Sequence, residues 1–122
     1  MNKEQINTNP VLKLSFEFSL QVIQYCEQLE AAKKFIISRQ LLRSGTSIAA
    51  NLFESQNAES AADFIHKMKV AGKEVDETTF WLMLCEQTKG YPPPDQLMDT
   101  ITAIGKLIGK IIATTRKRMK GI

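Results

Sequence analysis

A chain of 122 residues, 43% hydrophobic and 24% charged, is sized for one domain with a core of its own and no need of disulfide or metal staples. Its net charge of +3 is uneven: residues 1–99 carry ten basic and thirteen acidic side chains (−3), whereas residues 100–122 carry six basic and no acidic ones (+6). No apolar run approaches the ~20 residues of a membrane span, which argues against a membrane partner. The opening Met1-Asn2-Lys3-Glu4-Gln5 leads into no signal-peptide core, so a cytoplasmic protein is expected. Cys26 and Cys85 lie far apart among apolar neighbours and form no CxxC pair, which predicts buried free thiols rather than a disulfide.

Residues 1–9 read as a disordered polar lead. Asn9-Pro10 then supplies an N-cap and a proline at the first helical position, where its missing N–H costs nothing. Val11, Leu14, Phe18, Val22, Tyr25 and Leu29 recur at threes and fours, with Leu12, Phe16 and Ile23 broadening the face, and predict a helix over 10–31. At that spacing Tyr25 reads as a core ring with a wet tip rather than a functional hydroxyl. Ala31-Ala32-Lys33-Lys34 is a weak break before a second helix over 34–55. There Ile37, Leu41, Ile48 and Leu52 share one face, and Gln40, Arg43, Ser47, Asn51 and Glu54 the opposite one. Leu42, Ala49 and Phe53 widen the apolar arc beyond what one neighbouring helix covers, so a second contact is implied, within the chain or with another copy. Gly45 lowers helix propensity by roughly 1 kcal/mol against alanine. Beside Ser44, Ala49 and Ala50 it predicts close approach of backbones.

Ser60-Ala61-Ala62-Asp63 resembles a capping box with Asp in place of Glu. Phe64, Met68, Ala71, Val75, Thr78, Leu82 and Cys85 then alternate by four and three, the core seam of a helix of about 28 residues and about 40 Å. On the same helix Lys67, Val70, Glu74, Glu77, Trp81 and Leu84 form a mixed flank, read as a contact with another helix or subunit. Gly90-Tyr91-Pro92-Pro93-Pro94 ends that helix. Asp95 opens the last, with Leu97, Ile101, Ile104, Ile108, Ile111 and Thr115 as its seam and 116–122 as a basic C-terminal tail. Four helical segments with short connections predict an all-α domain over 10–115, an antiparallel up-down-up-down four-helix bundle.

Little in the chain points to catalysis. His66 is the only histidine, which removes Ser-His-Asp, Cys-His and multi-histidine metal arrangements, and beside Lys67 and Lys69 it reads as solvated. Glu74 and Glu77 share a face, but the Glu-x-x-His motifs of di-metal bundles are missing. Ser44-Gly45-Thr46-Ser47 lacks the GxxxxGK pattern and sits mid-helix, where backbone N–H groups are already bonded. Gly105 to Gly109 has GxxxG form and supports close helix packing at most. No catalytic residue, cofactor or metal ligand is expected, and no enzyme activity.

Two groups of residues remain as candidate sites. The Arg43, Ser47, Asn51 and Glu54 stripe is a solvated face, a hydrogen-bonded seam against Glu74 and Glu77 beside Trp81, or an oligomer interface. Its serine and asparagine favour the seam, because these side chains need fixed partners once desolvated; Arg43 would then pair with Glu74 or Glu77, and Asn51 would bridge neighbouring side chains or backbone. Lys106, Lys110, Arg116, Lys117, Arg118 and Lys120 concentrate positive charge at one end. With no aromatic interleaved for base stacking, they suggest phosphate-led, salt-sensitive contact with RNA or DNA. Cations also suit the C-terminal turn of a helix, the plainer explanation.

The run Leu42-Arg43-Ser44-Gly45-Thr46-Ser47-Ile48-Ala49-Ala50-Asn51-Leu52-Phe53-Glu54, then Ser60-Ala61-Ala62-Asp63-Phe64, then Glu74 with Glu77-Thr78-Thr79-Phe80-Trp81-Leu82, resembles a family of bacterial four-helix-bundle proteins. That family includes proteins encoded in intervening sequences of 23S ribosomal RNA genes, and the likeness spans about residues 10–115. The resemblance implies ring-shaped homopentamers of four-helix bundles, most without an assigned activity. It also implies kinship with the accessory variability determinant of diversity-generating retroelements, a basic pentamer that associates with reverse transcriptase and nucleic acid. This chain departs from that relative in being only mildly basic over its bundle. It also has Ser55 where the family often has glycine, so a different turn is expected there. The reading that follows is a non-enzymatic homo-oligomer that contacts nucleic acid, or alternatively an adaptor that binds another protein.

Overall fold

The computed structural model describes residues 1–121, and all their regular structure is helical: α1 Lys3–Thr8, α2 Pro10–Ala31, α3 Phe35–Ser55, α4 Ala61–Gln87 and α5 Asp95–Met119. The all-α expectation holds; α2 and α3 begin and end within a residue of their predicted bounds, and α5 continues past the expected end of the bundle at 115 to Met119. Among the described residues no helix is long and apolar enough to cross a membrane.

One expectation, at the N-terminal end, is corrected. Residues 1–9 are not a disordered lead, because Asn2 and Gln5 close a reciprocal cap: Gln5 N donates to Asn2 Oδ1 at 2.9 Å and Asn2 N to Gln5 Oε1 at 2.8 Å. The result is one short helix with no buried residue. Asn9 closes it and caps α2, accepting from Leu12 N, while Asn9 Nδ2 donates to Gln56 Oε1 at the α3–α4 turn. At the other end, the basic segment expected over 116–122 continues α5, which stays helical to Met119 and carries Arg116, Lys117 and Arg118 in its last turn. Ile122 lies outside the described residues.

The break between α2 and α3 is sharper than its composition suggests. Lys33 adopts φ 64°; Lys34 N donates to Leu29 O and Lys33 N to Glu30 O, the paired bonds that close a helix over a left-handed residue. At the α3–α4 turn, where Ser55 stands, the chain takes another route. Gln56, Asn57 and Ala58 each donate three residues back and tighten the last turn without any left-handed residue. Ser55 is buried there, its hydroxyl bonded to Leu52 O at 2.6 Å. α4 opens with half the expected capping box: Ser60 Oγ accepts from Asp63 N, but the Asp63 carboxylate takes the backbone N–H of Glu59.

α2 and α4 each pack against both α3 and α5, so the four long helices enclose one core. Phe18, Leu29, Leu41, Ile48, Leu52, Met68, Leu82 and Ile104 are fully buried in it. Contacts fix the register of neighbours: Asn9 meets Gln56, Val22 meets Gly45 and Cys26 meets Ser38, so α2 and α3 run antiparallel. A Cβ on Gly45 would lie 3.0 Å from both methyls of Val22, so the glycine permits this approach. On α5, Gly105 faces Val75 of α4 whereas Gly109 faces open space, so only half of the GxxxG pattern serves packing.

Two predicted seams differ in detail. Phe64 is half-buried and Ile65 takes its place inside. Phe16 and Ile23, expected to broaden the buried face of α2, are exposed. At one end of the molecule the two corners are tied: Tyr25 Oη donates to Pro92 O at 2.6 Å and Lys34 Nζ stands 5.0 Å over the Tyr91 ring.

Candidate functional site

The α3–α4 groove gathers most of the polar stripe. Arg43 pairs with Glu77 through Nη2, and its Nη1 lies 3.9 Å from Glu74 Oε2. Trp81 Nε1 donates to Glu77 Oε2 at 3.1 Å, one turn further along α4, so one carboxylate holds both a guanidinium and an indole. Gln40 Oε1 takes a further N–H from Arg43 at 3.4 Å. Beneath this, Thr78 Oγ1 donates to Ser44 Oγ at 2.9 Å with both residues fully buried, a direct hydroxyl bridge between the helices.

The rest of the stripe does not cross to α4. Ser47 Oγ donates to Arg43 O at 2.6 Å and Asn51 Nδ2 to Ser47 O at 2.8 Å, so these side chains bond back along their own helix. Glu54 is exposed. The Arg43 and Glu77 side chains are 52% and 36% exposed, so their pair is a rim contact with small energetic weight. Glu74 Oε2 differs, being shielded from solvent with no hydrogen-bond donor. Sequence reasoning placed Arg43, Glu74, Glu77 and Trp81 together, but it missed the Ser44–Thr78 bridge. The signal was present: a threonine inside an otherwise apolar seam, facing a run of small residues.

Apolar side chains flank this seam, and they form two separate strips. On α2, Phe16, Leu20 and Ile23 are exposed at helical spacing, and the α2–α3 register sets Ile23 level with the exposed Leu42. On the other side of α3, Ile36 is 75% and Phe80 52% exposed, with Leu84 and half-buried Trp81 beside them. Phe80 and Trp81 meet edge to face, with ring centroids 5.1 Å apart.

The basic residues lie along α5: Lys106, Lys110, Arg116, Lys117, Arg118 and Lys120 are all exposed. Among the described residues no group of three His, Cys, Asp or Glu side chains could hold a metal ion. His66 is exposed. Cys26 and Cys85 are free and buried, and burial, the largest cause, pushes the Cys26 thiol up to about 11. It also raises Cys85 and Tyr25 above their ordinary values. Such thiols are poor nucleophiles.

This arrangement defines an all-helical protein with an exposed, partly apolar face around α3 and a basic α5. Over residues 7–112 the sequence matches the 23S rRNA-intervening sequence protein family, and the chain belongs to that family. A similar solved structure is that of a protein of unknown function from the S23 ribosomal protein family of Bacteroides thetaiotaomicron VPI-5482. It is 39% identical, covers 84% of this chain and 97% of its own, and superposes with a TM-score of 0.79. No functionally curated protein matches the sequence.

Proposed function

We propose that this chain is a non-enzymatic, cytoplasmic subunit whose four long helices form an antiparallel up-down-up-down bundle, and that the bundles assemble as a ring-shaped homo-oligomer, a homopentamer. In this reading the ring is a scaffold whose basic α5 ends contact RNA or DNA without sequence preference. The observation that carries it is the pair of apolar strips on opposite flanks of α3, Phe16-Leu20-Ile23 and Ile36-Phe80-Leu84. Exposed apolar patches of this kind mark interaction surfaces. Two different strips on one subunit suit a head-to-tail contact, which closes into a ring when the rotation permits, whereas a two-fold dimer needs only one self-complementary patch. The number five rests on resemblance to ring-forming relatives.

A mixing experiment tests this geometry. Leu20→Lys and Phe80→Lys change exposed positions on different strips, and each alone is expected to give a folded monomer. Mixed in equal amounts they should form a heterodimer, because each pair retains one intact junction. If either variant keeps the full assembly mass, or if the mixture stays monomeric, the head-to-tail ring is wrong. The nucleic-acid part has its own test, filter binding of RNA across a salt series. Affinity should fall steeply with salt, and more so when Arg116, Lys117, Arg118 and Lys120 are replaced by glutamine, with assembly unchanged. RNA binding that is undetectable at low ionic strength removes that part and leaves a protein-binding adaptor.

A further inference from the structure

α5 outlasts the core it packs on. Its buried positions Leu97, Ile101, Ile104 and Ile108 are followed on the same face by Ile111 and Thr115, which are only partly covered. There α5 walls a groove of ≈ 840 Å³. Leu107, Lys110, Ile111, Thr114, Thr115 and Arg118 line it, one continuous helical face of three turns and about 16 Å. Facing it, Val11 of α2 and Phe64 and Met68 of α4 are apolar, while Asn9 at the α1–α2 junction and Gln56 and Ser60 at the α3–α4 turn add uncharged polar groups. Among the described residues Lys110 and Arg118, two turns apart, are the only charged ones in the lining, and no carboxylate lines the groove.

Three features select the occupant. The groove lies open along its length, whereas a small-molecule site encloses about 70–90% of its ligand. Its α5 wall has the i, i+3, i+4, i+7 spacing against which a second helix packs. Its charge among the described residues is entirely positive, above a floor that is apolar at Val11, Phe64 and Met68 and polar but uncharged at the α3–α4 turn. We propose that this groove binds an acidic amphipathic helix of another protein, about three turns long. Apolar anchors at i, i+3 or i+4, and i+7 rest on Leu107, Ile111 and Phe64, and carboxylates two turns apart meet Lys110 and Arg118. This goes beyond the assembly reading, because the groove shares no residue with the strips flanking α3. It also differs from nucleic-acid contact, which needs the cations but not the apolar floor.

The test uses the full chain and a fluorescein-labelled amphipathic peptide of about 14 residues, with leucine anchors and two glutamates at the rim positions. Three comparison probes are a twin with lysine for glutamate, a twin with serine for leucine, and an oligouridine. Fluorescence anisotropy should show saturable binding of the acidic peptide, weakened about tenfold or more by Thr114→Glu, which places a carboxylate mid-groove at an exposed position. Lys110→Glu combined with Arg118→Glu should switch preference to the lysine twin, and the serine twin should not bind. The proposal is overturned if the acidic peptide does not saturate, if Thr114→Glu leaves its binding unchanged, or if the serine twin binds equally. It is also overturned if the charge-reversed protein changes its assembly mass, since the groove is then a contact between copies. Loss of oligouridine binding in that variant, with no peptide binding to the native chain, likewise makes these cations a phosphate site instead.

Discussion

Lys33 is the one non-glycine position among the described residues with positive φ, 64°, where a side chain crowds its own backbone. Lys33→Gly removes that strain while adding freedom to the unfolded chain, and a net stabilisation of about 0.5–1 kcal/mol is expected by urea denaturation. Gly45 presents the opposite case. Alanine there improves helix propensity by about 1 kcal/mol, yet its Cβ would meet both methyls of Val22 at 3.0 Å. Val22 is buried and β-branched, so it cannot turn aside. Gly45→Ala is therefore expected to destabilise by about 1–2 kcal/mol, and combining it with Val22→Ala should cost less than the two changes summed, measured as a double-mutant cycle. Cys26 makes stability depend on pH. Its folded thiol is held up to about 11, so between the ordinary thiol range and that value the unfolded chain loses its proton first. Stability from this group is complete below the ordinary thiol value and declines as pH rises towards 11; a Cys26→Ala protein should lack that part of the decline. None of these residue-level features shows in periodicity alone: the small-residue run predicted the Gly45 approach but not its partner, and nothing in Lys33 marks a left-handed cap.

At the scale of the element, helix positions were legible because the apolar period is regular and the caps are strong: Asn9-Pro10, Ser60 with Asp63, and the triple proline. The sequence could not separate a buried flank from an exposed one. Phe16, Ile23 and Leu42 have the spacing of core residues but lie where no neighbouring helix in this chain covers them. The polar stripe was legible in its centre, since Arg43 and Glu77 are the long charged side chains able to span two helices. Asn51 does take a backbone partner, the Ser47 carbonyl, but neither it nor Ser47 reaches across to α4; both bond backwards along α3. Energetically the Arg43–Glu77 pair is a rim contact, so Glu77→Gln, which keeps an acceptor for Trp81 Nε1, is expected to change unfolding free energy by less than about 1 kcal/mol. At the start of α4, the Glu59 backbone N–H, and after it Lys67, hold the Asp63 carboxyl below its ordinary value. That contribution is present above the ordinary carboxylate range and is lost as pH falls through the lowered folded value. The stability difference between the native chain and Asp63→Ala should therefore shrink on acidification.

For the whole molecule, family and helical class were readable in advance, whereas the use of its surfaces was not, because exposure belongs to packing between elements rather than to any one of them. Trp81 is half-buried between the seam and the apolar strip, so Trp81→Ala is expected to disturb assembly more than it disturbs the fold. The mass of the native chain in solution bears most directly on the central proposal. Light scattering over a wide concentration range, read together with Trp81 fluorescence, should give a constant mass several times the 13.8 kDa of one chain, with an emission maximum shifted to the blue. A mass of 13.8 kDa persisting at high concentration, with the emission of a fully solvated indole, would contradict it.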